Sequence, residues 1–171
     1  MTKKYSYILF VLLISVLFLF LSFPSEALKG KRSKDGRYVD HGDGTITDTK
    51  TNLMWTKKDS YADTRFCKDW NASKSYVSGL RTGGYVDWRL PTVKELKALY
   101  EKSKSNSRTY NQGKYGETHL DSIFATGAAY FYWTSETSGS CCARYVSFAS
   151  GNVSMYPRGT CYDRGMRAVR R

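Results

Sequence analysis

"DWRLPTVKEL", residues 87–96, carries the signals of a turn that leads into a helix. Pro91 cannot continue a preceding strand ladder and holds the chain in a turn. Thr92 is a good N-cap because its hydroxyl can accept a hydrogen bond from the amide of Glu95, while the Glu95 carboxylate can reach back to the amide of Thr92. This capping box predicts the start of a helix. An apolar stripe at helical spacing follows the cap: Val93, Leu96, Leu99 and Tyr100.

The same residues permit a catalytic interpretation, which the sequence does not favour. Glu95 would need an acid or base partner, and no such partner stands out in the chain. We expect Trp88 to be buried and Arg89 to pair with a carboxylate or with backbone carbonyls, with Asp87 as one possible carboxylate. The stretch is therefore interpreted as a structural motif formed by Trp88, Arg89, Pro91, Thr92 and Glu95.

A further helix is predicted before this motif. Residues 69–80 read "DWNASKSYVSGL" and place Ala72, Tyr76 and Leu80 four residues apart, with Val77 widening the stripe. This spacing puts the four side chains on one face of a helix. We interpret that face as core.

Strands are predicted on both sides of the helices. Asp43-Gly44 is a good hairpin turn, because glycine accepts the positive φ that a tight turn demands, and strand formers follow it at 45–47 and 53–55. Residues 143–148, "ARYVSF", alternate with the period of a sheet that has unlike faces. Further strands are predicted at 130–136, 153–156 and 164–171, and a long polar surface loop at 103–115. Two early helices packed on a mostly antiparallel sheet with long loops make a compact α+β domain.

The N-terminus has the pattern of an export signal. Two lysines precede an apolar run over residues 8–23, and small residues before position 28 suit a signal peptidase. We predict a signal peptide over residues 1–27, a basic flexible arm over 28–39 and a domain over 40–171. The protein would be periplasmic or secreted, with no membrane span after cleavage. An uncleaved leader that serves as a membrane anchor is the alternative.

The chain is strongly basic. It carries 27 Lys and Arg against 15 Asp and Glu, and removal of the leader leaves a net charge of +11. Such a charge favours anionic partners through long-range attraction. For an exported protein these would be acidic glycans, lipopolysaccharide or phospholipid head groups rather than nucleic acid. The alternative is that the charge only keeps the protein soluble.

Four cysteines follow the leader, an even number that suggests disulfides in an oxidising compartment: Cys67, Cys141, Cys142 and Cys161. A bridge within the adjacent pair would be strained. Two pairings therefore stay open, each joining Cys67 and Cys161 to one member of the doublet. Adjacent cysteines match the spacing of zinc ligands poorly, and no metal or cofactor is predicted.

In this order, several segments resemble the C-terminal domain family of the Legionella collagen-like (Lcl) proteins, which has a C-type lectin-like fold. The matching segments are "DGTITDTKTNLMW", the helix ending in "YVSGL", "GGYVDWRLPTVKEL", "YWTSE", "YVSFASGNV" and "RGMRAVRR", and they extend from about Asp40 to Arg171. The resemblance implies an extracytoplasmic domain whose loops and late strands can carry a binding surface. The formylglycine-generating and sulfatase-modifying group is a more distant resemblance, and the cysteines here do not fit its catalytic pattern. The Glu-Pro-Asn type of tripeptide that C-type lectins use to bind sugar through calcium is also missing.

Three functions are compatible with these features. We favour an exported, non-enzymatic domain of the adhesion type that binds an anionic glycan or another surface polymer. Arginine forks match sulfate or carboxylate groups, and tyrosine faces can stack on sugars. The candidate ligand-binding residues are the late tyrosines and arginines: Tyr130, Tyr132, Arg144, Tyr145, Tyr156, Arg158, Tyr162 and Arg164. The alternatives are an enzyme or modifying factor of the formylglycine-generating type, which needs a reactive thiol pair, and a scaffold that displays variable late residues.

Overall fold

The computed structural model describes residues 30–106, 108–111 and 114–171. The predicted signal peptide lies outside the described residues. Within them, no helix is both long enough and apolar enough to cross a bilayer. The described residues form three sheets and three α-helices, and most of their strand pairs are antiparallel. The predicted α+β class is therefore confirmed, while the C-type lectin-like arrangement stays a prediction.

The first sheet contains the early strands and the last one. Its order is β1-β2-β3-β4-β11, and every neighbouring pair is antiparallel. The strands are β1 (Lys31–Arg32), β2 (Tyr38–Asp40), β3 (Thr45–Asp48), β4 (Leu53–Thr56) and β11 (Val169–Arg170). Gly44 has a φ of 89° in the turn before β3, and the Asp43 carboxylate accepts a hydrogen bond from the amide of Thr45 at 2.9 Å. The predicted hairpin and its two strands are confirmed.

The predicted flexible arm over 28–39 is wrong for its described part. Strand β1 pairs with β2, and the side chain of Tyr38 is fully buried. The Tyr38 hydroxyl donates to the Glu101 carboxylate at 3.0 Å. The charge run misled the prediction, because Lys31 and Arg32 stay exposed on an edge strand, where charges are favourable, while one aromatic residue holds the segment to the core.

The helices are α1 (Ser60–Thr64), α2 (Trp70–Gly79) and α3 (Val93–Leu99). Helix α1 is too short to give a periodic signal and was not predicted. Helix α2 begins where expected, and three residues of its predicted core face are confirmed: Val77 is buried, and Tyr76 and Leu80 pack against the core. The prediction is wrong for Ala72, which is exposed, and it omitted Trp70 and Ser73, which are buried with Val77. The indole of Trp70 fixes the rotation of the helix because its N–H donates to the Thr134 carbonyl at 2.8 Å.

The second sheet has the order β10-β7-β8-β9, and β10 runs parallel to β7. Its strands are β7 (Phe131–Ser138), β8 (Cys142–Ser147), β9 (Val153–Pro157) and β10 (Arg164–Gly165). Strand β9 lies at the edge of this sheet. A separate two-stranded sheet, β5 (Arg108–Asn111) and β6 (Lys114–Glu117), occupies the segment that was predicted as a loop.

The 87–96 stretch is a structural motif, as predicted. The Glu95 carboxylate accepts from the Thr92 amide at 2.7 Å, and the Thr92 hydroxyl accepts from the Glu95 amide at 3.2 Å. Arg89 donates to both Glu95 oxygens at 2.9 and 2.6 Å. Asp87 is not its partner, because that carboxylate pairs with Arg170 at 2.7 Å. Trp88 is buried as a member of a hydrophobic core cluster.

Glu95 also lines an open cleft of about 570 Å³ beside α3. Its carboxylate nevertheless faces Arg89 and the helix amide. Burial opposes ionisation of this group, but the hydrogen bonds from Arg89 and Thr92 outweigh burial and hold the pKa of Glu95 below its usual value. The carboxylate therefore stays ionised, which suits an ion pair and a helix cap.

Candidate functional site: a cation–aromatic patch at the start of α2

Three of the eight predicted ligand-binding residues are buried. Tyr130, Tyr132 and Arg164 expose 6%, 0% and 5% of their surface, so the structure removes them from the candidate surface. Tyr132 faces the core because it lies opposite Val146 on β8, and its ring packs edge-on against Phe148 at 4.7 Å. The period-two pattern identified the strands but not which face each residue takes.

Arg164 is a packing residue. Its guanidinium lies 3.9 Å from the ring centroid of Tyr156 and 4.8 Å from that of Tyr145, and the rings of Phe131 and Trp133 complete the stack. Tyr145 and Tyr156 are therefore half-buried beneath an arginine. Cation–aromatic stacking of this kind stabilises the sheet and leaves these two tyrosines little free surface.

The remaining predicted arginines do not converge. Arg144 is exposed and precedes Tyr145 on β8, so it lies on the opposite face of the sheet from Arg164. Arg158 lies elsewhere, with its guanidinium 4.9 Å from the ring centroid of Trp70. The late arginines alone therefore do not form one anionic-ligand surface.

Two cations meet at one ring, that of Trp70, at the start of α2. The Lys74 ammonium lies 4.0 Å from the same Trp70 centroid that Arg158 approaches, and the Lys68 ammonium lies 5.2 Å from the ring centroid of Tyr76. We call these five residues, Lys68, Trp70, Lys74, Tyr76 and Arg158, the Trp70 patch. Lys74 reaches the indole because residues four apart face each other on a helix.

Backbone and side-chain bonds hold the patch in place. The Trp70 amide donates to the Arg158 carbonyl at 3.0 Å. The Arg158 guanidinium donates through Nε to the Cys142 carbonyl at 3.2 Å and through Nη2 to the Gly139 carbonyl at 2.9 Å. These bonds connect α2, the segment after β9 and the turn between β7 and β8. Because Arg158 is fixed on three sides, a ligand would find this cation already ordered.

The patch has no neutralising carboxylate among the described residues. Lys68, Lys74 and Arg158 form none of the ion pairs found there. The carboxylates near in sequence make other contacts: Asp69 accepts from an amide of α2, and Asp63 accepts from the Tyr76 hydroxyl at 2.8 Å. The Lys74 and Arg158 cations lie against the same ring and repel each other, and a bound anion would relieve that repulsion.

The disulfides border the patch and differ from both predicted pairings. Cys67 bonds to Cys161, with Cα atoms 5.4 Å apart, and Cys141 bonds to its neighbour Cys142. The Lys68 amide donates to the Arg164 carbonyl at 3.0 Å, which places segment 67–68 beside segment 161–164. Cys161 is therefore the neighbour of Cys67, and the doublet closes on itself. The disulfides fit a protein outside the cytoplasm.

The patch could have been found in part from the sequence. Lys74 follows Trp70 by four residues in a helix that was predicted, but Trp70 was not part of the predicted apolar stripe. The contribution of Arg158 has no local signal, because 88 residues separate it from Trp70 along the chain. Among the described side chains, no group of three or more His, Cys, Asp or Glu is placed to hold a metal ion.

The sequence model of the Lcl C-terminal domain matches residues 44–170, which is most of the chain. No curated protein matches.

Proposed function

We propose that this chain, which belongs to the Lcl C-terminal domain family, acts outside the cytoplasm as a non-enzymatic binding domain for an anionic glycan or another anionic surface polymer. The observation that carries the proposal is the Trp70 patch. Two cations share one indole there, a third lies on the neighbouring tyrosine, and no described carboxylate neutralises them.

The chemistry of the patch favours sulfate or carboxylate groups on a polymer. Charge-assisted hydrogen bonds from arginine and lysine to such groups are stronger than neutral ones. Arg158 Nη1 has no hydrogen-bond partner among the described residues, while Nε and Nη2 fix the plane of the guanidinium. An ordered donor loses less conformational entropy when it binds.

The rest of the chain supports the same partner class at long range. The net formal charge of the whole sequence is +12, and a positive field raises the rate of encounter with polyanions. This field alone would attract any polyanion. The patch supplies the local contacts that a specific site requires.

A charge-matched pair of variants tests the proposal. Lys74→Gln removes a patch cation, and Lys50→Gln removes an exposed cation from the turn between β3 and β4, so both proteins carry the same net charge. We expect Lys74→Gln to elute from heparin at lower NaCl and to bind a heparin-derived oligosaccharide about fivefold more weakly, which is about 1 kcal/mol. Lys50→Gln should stay close to wild type.

Two results would contradict the proposal. Elution of the two variants at the same NaCl concentration would mean that heparin binding depends on net charge and not on the Trp70 patch. Elution of the wild-type protein no later than a basic control protein of similar size and charge would remove the case for specific binding altogether.

A further inference from the structure

We infer that Phe66 and Tyr162, the two aromatic side chains that flank the Cys67–Cys161 disulfide, form a subsite on which a sugar ring of the polymer stacks. The inference rests on the proposed function and adds to it. The Trp70 patch would hold the anionic groups of the polymer, and the aromatic pair would contact the apolar faces of its sugar rings.

The first observation is exposure. Phe66 exposes 74% of its surface and Tyr162 exposes 64%. Outside residues 1–29 and 107–116, whose side chains the structure does not describe, the other large exposed hydrophobic residues are aliphatic or methionine: Val86, Val153 and Met155. Large aromatic side chains normally lie at least partly buried. Phe66 and Tyr162 flank the same disulfide, whereas exposed hydrophobic residues without a role are usually scattered singly over the surface.

The second observation is the short distance that the disulfide imposes. Phe66 and Tyr162 are each one residue from a bridged cysteine, and the two cysteine Cα atoms are 5.4 Å apart. Because consecutive Cα atoms are about 3.8 Å apart, the Cα atoms of the two aromatic residues are separated by at most about 13 Å. The two residues thus lie on neighbouring segments that a covalent bond holds together.

The third observation is the backbone on either side of the pair. Arg65, which precedes Phe66, has a φ of 63°, and Asp163, which follows Tyr162, has a φ of 38°. Left-handed backbone is unfavourable for residues other than glycine and is concentrated at functional sites. Here it turns the chain at the end of α1 and again before β10, next to each exposed ring.

The anionic polymer is the occupant that the surrounding charge favours. Cys67 alone separates Phe66 from Lys68, so one cation of the Trp70 patch lies two residues from the aromatic pair. Aromatic rings offer a flat apolar face, and sugar rings present C–H groups that pack on such faces. A purely apolar partner would make no favourable contact with the adjacent cation.

Two probes separate stacking from charge. Isothermal titration would compare a heparin-derived oligosaccharide with inorganic polyphosphate, a polyanion that has no sugar ring. We expect Phe66→Ala and Tyr162→Ala each to weaken binding of the oligosaccharide about fivefold and to leave polyphosphate binding unchanged. Tyr162→Phe keeps the ring and should bind as wild type does. Lys74→Gln should weaken binding of both probes, and Met155→Ala, which truncates an exposed residue on β9, should weaken neither.

Each contrary result has a definite meaning. If the alanine variants bind the oligosaccharide like wild type while Lys74→Gln binds weakly, the subsite is refuted and the proposed function survives. If the alanine variants weaken both probes equally, the pair does not stack on sugar, and the inference fails. If wild type binds neither probe, both proposals fail. A wild-type dimer in sedimentation that Phe66→Ala converts to monomer would show that the pair covers a second copy of the chain, which also refutes the subsite.

Discussion

Replacement of Cys67 and Cys161 by serine should lower the free energy of unfolding by about 4–5 kcal/mol. The bridge joins residues 94 positions apart. In the chain-entropy treatment, a crosslink that closes a loop of about 100 residues removes roughly 4.7 kcal/mol of loop entropy from the unfolded state at 25 °C. Because both cysteines lie in irregular segments beside the core, the substitution removes little packing.

The Cys141–Cys142 bridge supplies the matched control. Its cysteines are adjacent in sequence, so the bridge closes almost no loop of the unfolded chain. The double serine variant at these positions should lose no more than about 1 kcal/mol. Each double variant replaces two sulfur atoms by oxygen, so the two variants differ chiefly in the length of the loop that the lost bridge closed.

Urea unfolding followed by tryptophan fluorescence measures the difference. With a urea m-value of about 2 kcal/mol/M, the loss of about 4–5 kcal/mol would move the midpoint down by about 2 M, while the control would move it by about 0.5 M or less. Equal midpoints for the two variants would refute the loop-entropy argument. A loss below about 1 kcal/mol for the Cys67 and Cys161 variant would refute it as well.

Two further substitutions test the motif and the core. Glu95→Gln removes the ion pair with Arg89, which is partly exposed, and should cost about 1 kcal/mol in urea unfolding at pH 7. The pKa of Glu95 is lower in the folded than in the unfolded state, so the stability that its carboxylate contributes is complete above the unfolded pKa of about 4.5 and is lost as the pH falls through the folded pKa. Glu95→Gln should therefore lose less stability than wild type between pH 6 and pH 3. Parallel losses for the two proteins would contradict this. Arg167→Met should lower the free energy of unfolding, measured by thermal unfolding, by about 2–4 kcal/mol. This fully buried arginine donates to the carbonyls of Thr56 and Lys57 at 2.6 Å each, and both carbonyls would lose their charged donor. Arg144→Met, at an exposed position, is its control, and similar losses for the two would show that the Arg167 contacts contribute little.

Local signals predicted the local structures. The capping box of α3 was readable because Thr92 and Glu95 lie within one helical turn. The hairpin before β3 was readable from Asp43 and Gly44, since turn conformation depends on the residues of the turn itself. The order of these segments also identified the family.

Features built from distant segments were not readable. The burial of Arg164 depends on four rings contributed by three strands, and the position of Arg158 depends on an indole in α2. The prediction of the disulfide pairing was wrong for the same reason, because it requires knowing that segment 67–68 runs beside segment 161–164. Tyr38 illustrates a different error: the charged residues around it led to the prediction of a flexible arm, although Tyr38 itself is buried.

The position of β11 in the first sheet has a consequence for how the domain folds. Strand β4 finds its outer neighbour only in β11, and Arg167 reaches back across 111 residues to the end of β4. Such a high contact order slows folding, because the loop must close before the contacts that reward closure can form. In a chain that becomes free to fold from its N-terminus, the early strands would keep an unpaired edge until residues 164–170 are available, so this sheet is completed only when nearly all of the domain is present.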